Sequence, residues 1–386
     1  MTPQGVASLI SGGLALVLGR VFGVVELYVI GSGFLVAPLL ALLYVGMRRP
    51  RASAARWIHP RTLVAGDTGR VDIDVEHRGR IRSAPFELAE TVSRMNSPEQ
   101  VARLEVPALK PGVHTSAGYN VPTSRRGLVE LGPLAAVARD PLGLARRSVG
   151  VAGLDVVVVA PKSILLDMPS LGHGMLGREL MNQARRMGPG DFHSLREYAE
   201  GDEPRTIHWR ASARSESLMV KQHTVEGVRR CTVVLDTDLA SYADEESFER
   251  AVVATASLVH SSDAAGLTTR CLVGSGADLR GPDVVPHTLR VLAEVQPGAP
   301  AAPELDRDPG EGLGLLILVS GSRAGSGWQV IQTLVDPSLT VLSVSTDVAG
   351  PTTFDLPAGT EEELRTGWAR LVGRGRVDLT PEVDTA

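Results

Sequence analysis

The sequence predicts an α+β multidomain chain with three parts: an N-terminal two-helix membrane hairpin, an antiparallel β-sandwich domain, and a C-terminal doubly wound α/β domain. Three observations predict it. Residues 5–47 are almost wholly apolar, residues 58–160 break into short runs with apolar side chains at every second position, and residues 231–372 alternate apolar strand-like runs with helix-length amphipathic segments. A chain of 386 residues is long enough for more than one core, since domains commonly run to about 100–150 residues. The composition shifts set the expected boundaries: a hairpin over 1–50, a sandwich over 51–160, a signature segment over 161–225, an α/β domain over 226–375, and a disordered tail over 376–386 rich in Asp, Glu, Thr and Pro.

Between Gly5 and Met47 only Arg20 and Glu26 interrupt the apolar run, and one bilayer crossing takes about 20 residues. Two helices therefore fit, near 5–24 and 27–47, joined by a tight turn. The opening Met-Thr-Pro-Gln carries no basic side chain and the apolar stretch outruns a signal-peptide core, which argues against a cleaved leader. Arg48, Arg49, Arg51, Arg56 and Arg61 follow with no acidic residue among them, so the positive-inside rule places that end in the cytoplasm. The expectation is a two-pass protein of bacterial type in the plasma (inner) membrane, with both termini and the soluble domains cytoplasmic. Arg20 and Glu26 fall near the turn, where a charge reaches the interface, so no buried transport site is required.

Arg70-Val71-Asp72-Ile73-Asp74-Val75-Glu76 has the period of a strand with one buried face. Further strands are expected at 86–92, 101–106, 115–121 and 128–138, which together suggest a small sandwich of immunoglobulin-like type. Arg125-Arg126-Gly127, Leu131-Gly132-Pro133 and Asp140-Pro141-Leu142-Gly143-Leu144 read as turn chemistry, with Asp140 capping the turn before Pro141.

Formal net charge is -5, with only Lys110, Lys162 and Lys221 as lysines, so the basic footprint that phosphate-backbone binding needs is missing and nucleic acid is excluded as a partner. Cys231 and Cys271 sit in apolar strand-like runs and read as free buried thiols.

The most unusual segment is Gly190-Asp191-Phe192-His193-Ser194-Leu195-Arg196-Glu197-Tyr198, then Gly201-Asp202-Glu203-Pro204-Arg205-Thr206-Ile207-His208-Trp209, then Ala211-Ser212-Ala213-Arg214. Arg196, Arg205, Arg210 and Arg214 alternate with Asp191, Glu197, Asp202 and Glu203, a pattern that suits forked guanidinium–carboxylate bonds. It reads either as a structural clasp or as a partner-binding surface anchored by Arg196, Glu197, Tyr198, Gly201, Asp202, Arg205, Trp209 and Arg214, because Arg, Tyr and Trp are favoured interface anchors. A hydrolase using His193, Asp202 and His208 is the competing reading, although no Gly-x-Ser-x-Gly elbow and no metal-spaced His pair accompany them.

Downstream, strands are expected at Cys231–Asp236, Leu267–Val273, Leu313–Ser320 and Thr340–Thr346. Helices are expected at 244–262, 285–295, 326–336 and 360–372, the alternation of a parallel sheet with helices on its faces. Gly274-Ser275-Gly276 lacks a P-loop lysine and the third glycine, so nucleotide binding is discounted.

The Leu-Arg-Glu-Tyr, Gly-Asp, Arg-x-Ile-x-Trp and Ala-x-Ala-Arg motifs resemble those of domain-of-unknown-function family fifty-eight (DUF58). The likeness covers roughly residues 50–345 and is supported by Arg125-Arg126-Gly127, Asp140-Pro141-Leu142-Gly143-Leu144 and Ala160-Pro161 in the same order. The resemblance implies a von Willebrand factor type A-like C-terminal domain, in which the first strand ends in Asp-x-Ser-x-Ser and holds a divalent ion. This chain reads Asp236-Thr237-Asp238-Leu239-Ala240-Ser241 there, with Ser320-Gly321-Ser322 ending a later strand. If an ion binds, magnesium on Asp236, Asp238 and Ser320 is the expectation; otherwise Asp236 caps a strand end and no cofactor is needed. The resemblance also implies a MoxR-type AAA+ ATPase as partner. The leading expectation is a membrane-anchored, non-catalytic scaffold or adaptor in assembly or maturation of a cell-envelope complex. An envelope-associated hydrolase and a metal-dependent adhesion module are the alternatives.

Overall fold

A computed structural model describes residues 1–60, 62–94, 97–187, 192–199, 204, 207–215, 217–223, 228–299, 313–322, 326–333, 338–347 and 354–373. The chain is α+β and divides into two compact units, Met1–Ala160 and Pro161–Ala386. The tail expected over 376–386 lies outside the described residues.

Unit one opens with α1 (Pro3–Phe22) and α2 (Val25–Met47), both long and apolar enough to cross a membrane. Thr2 caps α1 by accepting the Gly5 N–H, Pro3 fills the first turn where no amide hydrogen is needed, and Gly23 ends the helix at φ 67°. Small residues let the pair close: a Cβ at Gly12 would meet the Gly31 carbonyl oxygen at 2.9 Å, and Ser8 donates to the Phe34 carbonyl at 2.8 Å. Such close backbone approach is how helices associate where water supplies no driving force. Ile10, Leu14, Val17, Leu39 and Leu40 remain exposed on the outer faces.

The rest of unit one is β-structure. The strands are β1 (Ala52–His59), β2 (Leu63–Val64), β3 (Gly69–His77), β4 (Phe86–Arg94), β5 (Ser97–Val106), β6 (His114–Val121), β7 (Gly127–Arg139), β8 (Arg146–Ala152) and β9 (Asp155–Ala160). They form a three-stranded sheet in the order β1-β3-β6 and a larger sheet in the order β2-β9-β7-β4-β5, with β8 paired to β7. The alternation read in 70–76 is realised: Val71, Ile73 and Val75 are fully buried, while Arg70 is exposed. Those three pack with Leu88, Leu131, Leu134 and Val159 of the other sheet in one core. Arg56 of β1 bridges to Glu90 of β4 and to Asp155 of β9, tying the two sheets together.

Unit two contains α3 (Gly174–Met187), β10 (Phe192–Glu197), α4 (Trp209–Ser212), β11 (Met219–His223), β12 (Arg230–Leu235), α5 (Glu245–Ala264), β13 (Thr268–Val273), β14 (Ala277–Arg280), α6 (Val284–Glu294), β15 (Gly314–Ser320), α7 (Ser326–Thr333), β16 (Leu339–Ser345), β17 (Phe354–Pro357) and α8 (Glu361–Val372). Its main sheet runs β14-β13-β12-β15-β16-β17. All neighbours are parallel except β14, which folds back on β13. Successive side chains leave a strand on opposite faces. Cys231, Val233 and Leu235 accordingly join the core that α3, α5, α6 and α8 complete, whereas Val234 packs on the other face with Trp328 and Ile331 of α7. Before α3, the segment carrying Ile164 and Leu166 lies along α5, its N–H groups donating to Ser257 and Ser261 at 3.1 and 2.8 Å.

Candidate functional site

Strand order selects one place in unit two before any side chain is considered. From β12 the chain passes through α5 to β13 on one side, and from β15 it passes through α7 to β16 on the other. The crevice between the carboxyl ends of β12 and β15 is thus the topological switch point, where open α/β sheets hold their ligands. Asp236 follows β12 directly and Ser320 ends β15.

Asp236 is 1 % exposed. One carboxylate oxygen accepts the Asp238 N–H at 3.0 Å; the other accepts the Ser241 hydroxyl at 2.6 Å, and the Ser320 hydroxyl lies 2.9 Å from it. The Tyr242 hydroxyl donates to the Asp236 main-chain carbonyl. Burial pushes the Asp236 carboxyl above the ordinary carboxylate range, opposed by the hydrogen bonds from Ser241, Asp238 and Ser320. Burial, with Asp236 nearby, likewise raises Tyr242. Helix α7 comes close enough that a Cβ on Gly327 would sit 3.3 Å from the Asp236 carboxyl carbon. A Cβ on Gly321 would meet the Ser241 carbonyl oxygen at 2.2 Å, so only glycine fits after Ser320.

The residues expected at a metal site divide in the structure. Asp236 and Ser320 come together. Asp238 turns one oxygen back to accept the Ala240 N–H at 3.0 Å, capping the 3₁₀ turn Leu239–Ser241. That turn swings Ser241 onto Asp236. Ser241 was not nominated from sequence, because it stands five residues after Asp236 rather than two or four, and nothing short of the turn geometry brings it back. Thr346 is a second residue missed: its N–H donates to the Ser320 carbonyl at 3.0 Å, and among the described residues its buried hydroxyl has no partner. Asp347 accepts the Ala243 N–H and pairs with Arg250 at 3.3 Å. No group of three or more His, Cys, Asp or Glu side chains is arranged for a metal among the described residues. The oxygens gathered here, one carboxylate with the hydroxyls of Ser241 and Ser320, are hard donors of the kind that suit magnesium or calcium.

The signature segment forms a separate feature. Strands β10 and β11 pair antiparallel, Arg196 opposite Val220 and Glu197 opposite Met219. Glu197 accepts the Ser217 hydroxyl at 3.0 Å. Tyr198, Trp209, Arg210 and Arg214 are exposed, Trp209 by 66 %. His208 caps α4, its Nδ1 accepting the Ala211 N–H at 3.1 Å. The Ser212 hydroxyl accepts the Met219 N–H at 2.8 Å and lies within reach of the His208 and Met219 carbonyls. Ring and hydroxyl are therefore both engaged by main chain. Gly201, Asp202 and Arg205 lie outside the described residues, as do the side chains of His193 and Arg196. Gly274-Ser275-Gly276 forms the hairpin turn from β13 to β14, with no helix following to receive a phosphate.

Residues 194–315, from inside β10 to the start of β15, match the family described as protein of unknown function DUF58. This segment belongs to the DUF58 family. No curated protein matches the chain. Solved structures with some likeness include a β-glucosidase from Erythrobacter marinus (10 % identity over 28 % of this chain and 15 % of that one, TM-score 0.21). Two others are the alkylpurine DNA glycosylase AlkC of Pseudomonas fluorescens bound to abasic-site DNA (10 %, 35 % and 38 %, 0.21) and the putative ApaA protein of Bordetella pertussis (12 %, 28 % and 91 %, 0.20). This chain spans well under half of the first two, and at such TM-scores the likeness bears on neither fold nor function.

Proposed function

We propose that this DUF58 protein is a membrane-anchored, non-catalytic adaptor that offers the carboxyl edge of its C-terminal sheet to a protein partner, with a divalent cation at Asp236 taking part in recognition. The observation that carries the reading is the Asp236 carboxylate, buried at the switch point with neutral hydrogen-bond donors as its partners. Among the described residues no cationic side chain pairs with this carboxylate, a situation that costs several kcal/mol when the group is buried and charged, and a hard cation held by Asp236, Ser241 and Ser320 would supply that charge. Magnesium keeps open coordination positions that a carboxylate on a partner can fill. The exposed Leu239 at the rim adds an apolar contact.

Sheet order and site position support a von Willebrand factor type A-like reading of the C-terminal domain. The shared core of the two sheets in unit one supports an immunoglobulin-like reading there. The apolar helices support a two-pass anchor in the inner membrane, and the basic run from Arg48 to Arg61 supports cytoplasmic soluble domains. The partner in view is a MoxR-type AAA+ ATPase acting in assembly or maturation of a cell-envelope complex.

The test is binding of a purified MoxR-type ATPase from the same organism to the detergent-solubilised full chain, in magnesium and in EDTA, with Asp236→Ala alongside. Magnesium-dependent binding that the substitution abolishes is the expected result. Binding indifferent to both moves the contact to the Tyr198–Trp209 surface and overturns the cation; no binding removes the ATPase.

A further inference from the structure

The turn Asp140–Ala145, joining β7 to β8, is more than a chain reversal. Asp140 is 5 % exposed and its carboxylate accepts the Leu142 and Ala145 N–H groups, fixing the loop from within. The loop's outward carbonyls are then taken by the start of α1: the Thr2 hydroxyl donates to Gly143 at 2.6 Å, and the Thr2 N–H to Leu144 at 3.1 Å. Gly5 permits that approach, since a Cβ there would stand 2.2 Å from the Leu144 oxygen. Ala138 and Ala145 pack on Ala41 and Val45 of α2, completing the joint.

This fixed turn presents a leucine. Leu142 is 69 % exposed, an orientation the surrounding hydrogen bonds impose. With Leu144 it forms the end wall of an apolar groove of about 680 Å³, whose sides are Ala7 and Ser11 of α1 and Ile30 and Phe34 of α2. The same end of the molecule is basic: Arg146 and Arg147 follow the turn, Arg48, Arg49 and Arg51 follow α2, and all five are exposed. An apolar tip beside two membrane-length helices, with exposed arginines directly after the turn and after α2, matches the layering of an anionic bilayer, acyl chains first and phosphates next.

We infer that Leu142 enters the hydrocarbon of the bilayer and that the groove between it and the helix pair takes a phospholipid acyl chain, so that the β domain is seated on the membrane rather than tethered above it. This rests on the reading that α1 and α2 cross the bilayer. The occupant is lipid because the groove is continuous with the lipid-facing sides of both helices, and because the neighbouring charges are arginines that suit anionic headgroups.

The experiment labels single cysteines in the full chain with an environment-sensitive fluorophore. The two native cysteines are buried and do not compete. The positions are Leu142→Cys, Leu14→Cys on the outer face of α1, and Thr68→Cys, exposed in the turn at the other end of β7, roughly 40 Å from the first at about 3.3 Å per strand residue. Each is reconstituted in vesicles of phosphatidylethanolamine and phosphatidylglycerol with and without bromine on the acyl chains. Quenching at Leu142 several-fold above that at Thr68, approaching that at Leu14, is expected. Quenching at Leu14 but not at Leu142 overturns this inference and leaves the span standing. Absence of quenching at Leu14 overturns the span and the seat together.

Discussion

Glu90 in the β domain and Asp236 in the C-terminal domain are each 1 % exposed, yet their surroundings are opposite. Glu90 meets the Arg56 guanidinium, itself 3 % exposed and also bonded to Asp155, so that a positive charge buried with it joins the two sheets. Asp236 meets two hydroxyls and one amide, at the carboxyl edge where strand order opens a crevice. The first carboxylate is spent on holding sheets together. The second is held, among the described residues, by neutral donors alone, which separates an ion-paired structural acid from one that the proposed cation would pair.

Removing the counter-charge from the first is the largest effect expected. Arg56→Ala leaves Glu90 buried and uncompensated and should cost the β domain about 3–5 kcal/mol, read as a lower denaturant midpoint of the detergent-solubilised chain. The double change Arg56→Met with Glu90→Leu should recover most of it, because two apolar residues of similar volume avoid the desolvation that the pair must offset. A double variant as unstable as the single one would mean that the pair, and not the burial, is what the sheets require.

Asp236→Ala is the matched change in the other domain and should cost less, about 1–2 kcal/mol. It strands the Ser241 and Ser320 hydroxyls and the Asp238 amide, but it also removes a charge that burial disfavours. A loss as large as that of Arg56→Ala would make Asp236 a structural acid and end its claim to a ligand.

The pH dependence sharpens the same contrast. Burial raises the Asp236 carboxyl above its ordinary value of 3.8, so the folded protein holds the proton more tightly than the unfolded chain. Stability linked to this group is therefore highest in acid and falls as pH rises from about that value through the raised folded one. Asp236→Asn should lack this fall, and the wild type should trail it by a constant margin at higher pH. Magnesium should narrow the margin. Asp278 has the reverse sign: Arg280 and Arg270 hold it well below the carboxylate range, so what it contributes is present at neutral pH and is lost only in acid.

Sequence period made much of this architecture readable where burial is one-sided. Val71, Ile73 and Val75 marked β3, and the apolar runs marked α1 and α2 to within a few residues. Strand β1 escaped because no residue of Ala52–His59 is fully buried, its first half mixes Ala and Ser, and in its second half the inward positions hold Arg56 and Ile58 while the apolar Trp57 faces outward, so the sequence shows no clean alternation. Helix α3 escaped because, among its described side chains, Leu176 and Leu180 alone are fully buried, in a polar stretch with Gly177 inside it. At the site, Asp236 and Ser320 were legible as strand-end residues. Ser241 was not, since its approach depends on a 3₁₀ turn that Asp238 caps, and single-residue spacing carries no sign of that. Asp140 was read correctly as a turn cap, but the docking of that turn on Thr2 joins residues 141 apart and has no local signal.

The smallest expected effect is no change at all, and it tests whether the comparison is between independent regions. Cys231 and Cys271, the only two cysteines, lie in the core of the C-terminal sheet, 0 % exposed, and burial pushes both thiols up to about 12. They should stay unreactive towards a thiol reagent at neutral pH until that sheet opens, because the reactive species is the thiolate and neither charge nor access is present in the folded state. Labelling therefore times unfolding of the C-terminal domain alone. Arg56→Ala, whatever it costs the β domain, should leave the labelling rate unchanged, since each domain has its own hydrophobic core. Asp236→Ala should quicken it several-fold. Equal acceleration by both substitutions would mean that the two domains open as one cooperative unit, and the contrast between the ion-paired and the hydrogen-bonded carboxylate would then have to be drawn within a single folding transition.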